Sequence, residues 1–279
     1  MPNYESYKAK ATAEVAAAVA NTATPFTIEV RFIGGLTDTQ KNAFKFAADR
    51  WSKVIVGDVP AIMVDGELID DILILAEGAN IDGPGRILGQ AGPTNLRPAN
   101  AGAAAFIPAK GRMTFDSADL LQMEHNGTLN DVITHEMGHV LGFGTIWSFK
   151  HLLQGAGTSN PRFTGAGAKR EFGVLKGTGP AVVPLENTGG QGTADSHWRD
   201  TVFGNELMTG FVGAAGNPLS KMTVASLADL GYVVNLNAAE AYALPNHLLL
   251  AENAVLAQPI NEGFVLPIIP TVSPEDSLQ

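Results

Sequence analysis

The sequence predicts an α+β fold: a twisted mixed sheet with helices in the N-terminal half, and a loop-rich C-terminal part held by one helix. Three observations carry this. Phe26, Ile28, Val30 and Phe32 alternate with Thr27, Glu29 and Arg31, the period of a half-buried strand. Phe44, Ala47, Ala48, Trp51, Val54 and Ile55 recur at helical spacing. Between Trp147 and Asp195 neither period persists and glycines are frequent.

Taken in order, the first 25 residues carry early charges and a short Ala/Val run, Val15 to Ala20, too short for a signal-peptide core. They read as a mildly amphipathic helix or loose leader. Gly34-Gly35 turns the chain after the first strand, and Thr37 with Gln40 forms a capping box for the amphipathic helix. Ile72-Leu73-Ile74-Leu75 reads as a strand buried on both faces. From Gly83 to Pro108 the chain reads as loops around short edge strands, with Phe106-Ile107 and Arg112 to Phe115 as the strand candidates. Thr128 and Asp131 supply a weaker capping signal for the next helix. Ser220 caps a helix that turns Val224, Leu227 and Leu230 inward, and Gly231 stops it. The stretch from Gln258 to Gln279 is punctuated by prolines and is expected to cover a surface or fray. The expected organisation is a leader over 1–25, an N-terminal subdomain over 26–144, a C-terminal subdomain over 145–250 and a tail over 251–279.

Composition narrows the function. The 279 residues are 45% hydrophobic and 16% charged, a globular balance with enough chain for a sizeable core. A net charge of −10 argues against nucleic acid or anionic membrane as partner, since both demand a basic surface. No run approaches the roughly 18 apolar residues of a membrane span. The absence of cysteine excludes disulfides, thiolate metal sites and cysteine nucleophiles, and fits a bacterial chain better than a eukaryotic secreted one.

The chemistry concentrates in Thr134 to Trp147, THEMGHVLGFGTIW. Residues four apart on a helix share a face, so His135 and His139 can direct two imidazoles at one Zn2+. Glu136, beside the first histidine, is placed to handle the proton of a water rather than to bind metal. Gly142 lies where the helix must stop and permits a sharp turn. Two histidines do not complete a catalytic zinc site, and Thr145 stands where the commonest extended form of the motif carries a third. Of the other histidines, His125 falls in a hydrophilic turn and His247 in a Pro-Asn-His loop. His151 is a candidate by proximity, and His197 stands in SHWRDTVFGNELMTG. Glu206 is a further rival, because some zinc peptidases use a downstream glutamate.

The pairing of HEMGHVLGFGTIW with SHWRDTVFGNELMTG after a long insertion resembles the leishmanolysin family of metzincin zinc peptidases. PLSKMTVASLADLGYVVN and AYALP further on resemble the same family more weakly. The resemblance implies a metzincin-like fold of two subdomains flanking a cleft, with an edge strand that can pair with an extended substrate. It also implies His197 as third zinc ligand and Met208 as the methionine of the turn beneath the metal, with His151 and then Glu206 ranked after His197. The expected activity is that of a zinc metalloendopeptidase with Glu136 as general base. The rival is a zinc-binding but non-hydrolytic adhesin or interaction module, against which an intact Glu136 argues. The cofactor is one Zn2+. For structural Ca2+, Asp82 and Asp195 are loop candidates without a recognisable calcium-loop pattern. The expected partners are protein or peptide substrates of a monomer, secreted or at the cell surface by a route without a visible signal peptide, with a cytoplasmic location left open. None of the four tyrosines can be placed at the site from sequence.

Overall fold

A computed structural model describes residues 4–85, 87–190, 192–210, 215–246 and 264–279. The main sheet comprises β1 (Glu5–Lys10), β2 (Thr27–Gly34), β5 (Ile72–Ala79), β6 (Ile87–Leu96), β7 (Pro108–Asp116), β11 (Phe264–Pro267) and β12 (Thr271–Val272). Its order is β1-β2-β5-β7-β6-β11, with β12 also on β6. Strands β2, β5 and β7 run parallel, β1 pairs antiparallel with β2, and β6 pairs antiparallel with β7. The fold is therefore α+β with a mixed sheet.

Local signals explain most elements. Alternation in β2 buries Ile28, Val30 and Phe32. Helix α2 (Asp38–Val54) follows the Thr37/Gln40 capping box, with both reciprocal hydrogen bonds formed. Its Phe44, Ala47, Ala48, Trp51 and Val54 are fully buried in one core with Ile28, Val30, Ile74, Met113 and Phe115. Each large apolar side chain so buried contributes on the order of 2 kcal/mol, before chain entropy is set against it. Strand β5 is covered on its second face as well. There Leu73 joins Ile62, Val64 and Ile69 of a small hairpin, β3 (Ile62–Val64) and β4 (Glu67–Ile69).

Several expectations are corrected. The leader holds the expected short helix, α1 (Ala13–Ala20), but it also holds strand β1, which extends the sheet through six paired residues. Residues 87–96 form a ten-residue strand rather than a loop; ILGQAGPTNL has poor strand propensity, and pairing with β7 supplies what propensity does not. Strand β7 is interior to the sheet, not at its edge, and Phe106 precedes it in a positive-φ turn. His125 lies in helix α3 (Ser117–Asn126), whose capping residue is Asp116. Thr128 makes no side-chain cap for helix α4 (Leu129–Val140). Asn126 takes the Thr128 N–H and hydroxyl, and the Asp131 carboxylate accepts from Gly216 N at 2.6 Å.

The C-terminal part is held by more than one helix. Short strands β8 (Leu153–Gln154), β9 (Arg162–Phe163) and β10 (Val183–Pro184) form a small sheet, and α5 (Ala166–Lys176) packs on a later helix. After the single turn α6 (Asp200–Phe203), that later helix is α7 (Lys221–Leu230), capped by Ser220 and ended by Gly231 at φ 110°. An aromatic cluster of Phe143, Trp147, Phe163, Trp198 and Phe203 forms its core, with Trp147 and Trp198 stacked at 5.4 Å. No helix among the described residues is long and apolar enough to cross a membrane.

Candidate metal centre

Helix α4 presents His135, Glu136 and His139 to a cavity of about 1010 Å³ that His197 also lines. The helix is pinned from behind: Trp51 Nε1 of α2 donates to Thr134 O at 2.8 Å. It ends at Val140, and Gly142 adopts φ 107°, a left-handed conformation that side chains resist. That turn brings the Phe143 carbonyl back to accept from His139 Nδ1 at 2.9 Å. Thr145, in the position of the absent histidine, donates its hydroxyl to His139 O at 2.8 Å and lines the cavity.

His197 arrives from the far side of the sequence because Trp198, its neighbour, is buried in the aromatic cluster and hydrogen-bonded at both ends. Trp198 N donates to Met208 O at 3.0 Å, and Trp198 Nε1 to Thr223 Oγ1 at 2.7 Å. Gly144 makes room for this approach, since a Cβ there would fall 2.2 Å from Ser196 O.

The three Nε2 atoms of His135, His139 and His197 lie 2.8–3.0 Å from one another. Each Nδ1 faces a backbone carbonyl: Leu207 O at 2.7 Å, Phe143 O at 2.9 Å and Thr193 O at 2.9 Å. A carbonyl can only accept, so each Nδ1 carries the proton and each Nε2 presents a lone pair. Three lone pairs converging at this distance repel one another unless a cation lies among them. Burial pushes His135 down to about 4 and His139 down to about 3; burial and its two neighbours hold His197 well below the ordinary value. All three rings are therefore neutral near pH 7, the form that ligates metal. The donor set fits a tetrahedral Zn2+ with one position left open, and the carbonyls are the outer partners that such ligands require. Burial pushes the Glu136 carboxyl up to about 8, and a dication nearby would favour its ionised form.

None of the other sequence candidates joins the three imidazoles. His151 is exposed at φ 56° and is not among the cavity-lining residues. His247 is outside the described residues. Glu206 is fully buried behind the site, where its carboxylate accepts from Met208 N, Ser220 N, Ser220 Oγ and Thr223 Oγ1. Met208 is fully buried with its thioether against Gly138, between the two histidines of α4. Asp82 lines the cavity while Asp195 accepts from Gly157 N, and neither belongs to a cluster of three close metal-ligating groups among the described residues. Among the described residues no tyrosine lines the cavity; Tyr232 and Tyr242 donate to Leu141 O and Phe203 O. Sequence reading missed Gly138 and Gly144, whose only signal is that glycine interrupts otherwise packed stretches.

A mixed sheet carrying a His-Glu-x-x-His helix, completed by a distant third imidazole, has the form of a zinc metallopeptidase. The leishmanolysin family model matches residues 104–262, more than half of the chain, and the chain belongs to that family. It is also 29% identical over 136 residues to a leishmanolysin homolog of Crithidia fasciculata. The match covers 45% of this chain and 20% of that relative, so the chain spans only a fraction of that protein.

Proposed function

We propose that this chain is a zinc-dependent endopeptidase in which His135, His139 and His197 hold the metal and Glu136 is the general base. The observation that carries the reading is the convergence of three proton-free Nε2 atoms within 2.8–3.0 Å on a cavity wall shared with Glu136. When bound, zinc supplies Lewis acidity toward a scissile carbonyl and an attacking water. The chain's own contribution is orientation. The Leu207, Phe143 and Thr193 carbonyls fix the ring planes, so little reorganisation accompanies loading. Glu136 accepts the proton of the attacking water and returns it to the leaving amine. Met208 floors the site as the turn methionine, and the Gly142 turn carries the chain away beneath it.

We read residues 26–144, which hold most of the main sheet, and residues 145–250 as two subdomains flanking a substrate cleft; residues of both, together with Val265 and 267–270, line the cavity. Protein or peptide substrates follow from this reading, and membership of the leishmanolysin family supports a secreted or cell-surface location.

Metal analysis of the purified chain should give about one zinc per molecule. Casein should be degraded by the loaded protein and spared after chelation. One bound zinc without chelator-sensitive proteolysis would leave the non-hydrolytic binding module as the better account; a chain that takes up no zinc would sink both.

A further inference from the structure

One wall of the cavity is built by a segment that the proposed chemistry does not use. Strand β11 adds to β6 in parallel, with Val265 opposite Gly89, Leu266 opposite Gln90 and Pro267 opposite Ala91. Strand β12 does the same at Asn95 and Leu96. Without them β6 would be the edge of the sheet, and its Ile87, Leu88 and Ala91 line the cavity that holds Glu136. A bare edge offers an extended peptide a row of unpaired N–H and C=O groups. Here that row is already taken. The segment also crosses the cavity. Val265, Pro267, Ile268 and Ile269 line it, and a Cβ on Gly192, in the loop leading to His197, would lie 3.2 Å from Val265 O. On the sheet side, a Cβ on Gly92 would lie 3.2 Å from Ile268 Cβ.

We infer that residues 264–270 form an intrasteric strap: they occupy the pairing edge of β6 beside Glu136 and must leave it before an extended peptide can bind there. The inference rests on the peptidase reading of the cavity. The strap and the residues that follow it are held unequally. Beyond the strap, Ser273 N donates to Leu96 O at 2.9 Å, Leu278 bridges to Ile62, and Gln279 N donates to Ala61 O at 3.0 Å, which makes an anchor away from the site. The strap proper pairs through four residues with a register break between Phe264 and Val265. Pro267 and Pro270 cannot donate to a ladder, and Ile269 stands 87% exposed. A short parallel pairing that lacks donors is weak, so a peptide with a full set of donors competes for the same edge while the anchor stays in place.

The chain contains no cysteine, so Gln90→Cys with Leu266→Cys, at partnered positions on adjacent strands, creates a single disulfide that pins the strap. With Glu136→Gln added to prevent turnover, anisotropy of a labelled extended decapeptide from casein is measured on the zinc-loaded protein. The oxidised form should bind at least tenfold more weakly than the reduced form. Val265→Asp, which sets a charge on the strap's half-buried face, should bind more tightly than the unaltered strap. Equal affinity of the oxidised and reduced forms, no binding to the reduced form, or no gain from Val265→Asp would each overturn the strap. Hydrolysis by the reduced cysteine pair with Glu136 intact is scored separately: lock-dependent binding without hydrolysis keeps the strap and removes the peptidase.

Discussion

Gly138 and Met208 meet beneath the three-histidine cluster: a Cβ on Gly138 would fall 2.9 Å from Met208 Cε and 3.0 Å from its Sδ. The same Cβ would lie 2.9 Å from Trp51 Cζ2, so the helix is clamped between two buried side chains. Gly138→Ala gains up to about 1 kcal/mol of helix propensity, but overpacking against a fixed indole costs about 1–3 kcal/mol. The overpacking term should win, with a lower thermal midpoint and weaker zinc binding. Adding Met208→Ala should recover part of the loss; an unchanged midpoint in the single variant would show that the contact is slack.

The ligand assignment separates two residues. His197→Ala should abolish stoichiometric zinc by elemental analysis, because two imidazoles and water hold the ion poorly. His151→Ala should retain it, since that ring is exposed and outside the cavity. Zinc retained at full affinity by His197→Ala would remove His197 from the ligand set.

Glu136→Ala should keep one zinc per chain and lose proteolysis by about 10²–10⁴-fold, the range for a positioned general base. The rate of casein cleavage at matched zinc occupancy is the measurement. Retained activity would mean that another group handles the proton.

Glu206 supports the site from behind. Removing its carboxylate leaves Met208 N, Ser220 N and the Ser220 and Thr223 hydroxyls short of an acceptor in a buried position. Glu206→Ala should therefore cost about 3–5 kcal/mol of unfolding free energy, several orphaned donors at about 1–3 each less local relaxation. Zinc should bind more loosely as well, because the Leu207 carbonyl that holds His135 belongs to the same turn. A denaturant midpoint within error of the parent would refute this role.

Asp71 gives a pH signature. Burial pushes its carboxyl up to about 7, although Thr27 N and Val59 N both donate to it. An acid with a raised folded pKa holds a proton that the unfolded chain has already released. Stability attributable to Asp71 is therefore greatest below about pH 4 and falls as pH rises toward 7, with a slope of at most about 1.4 kcal/mol per pH unit. Asp71→Asn should flatten that part of the stability profile, and an unchanged slope would place the titration on another group.

Much of this architecture is legible in order along the chain because its causes are local. The alternation of β2, the capping box of α2 and the Ser220–Gly231 limits of α7 each depend on residues within a few positions of one another. So does the common face of His135 and His139, which follows from 3.6 residues per turn. Strands β1 and β6 and helix α5 were not legible. The charged ESYKAK of β1, the Gly/Pro/Asn-containing ILGQAGPTNL of β6 and the glycine-interrupted AGAKREFGVLK of α5 have weak preferences of their own and take their form from the strand or helix they pack on.

The sequence by itself determined the chemistry on offer: two imidazoles and a carboxylate on one helical face, no thiol, and a glycine where the helix must turn. Tertiary structure alone decided the rest. It brought His197 to the pair from 58 positions beyond His139, through Trp198 in an aromatic core, while leaving His151, far nearer in sequence, in solvent. It also put strands β11 and β12 on the edge of β6, where the proline-punctuated sequence implied a tail that covers a surface or frays without saying which surface. The physical reason is the same in both cases. Spacing along a helix follows from backbone geometry, whereas convergence of distant segments depends on which buried surfaces close against each other, and no local pattern encodes that choice.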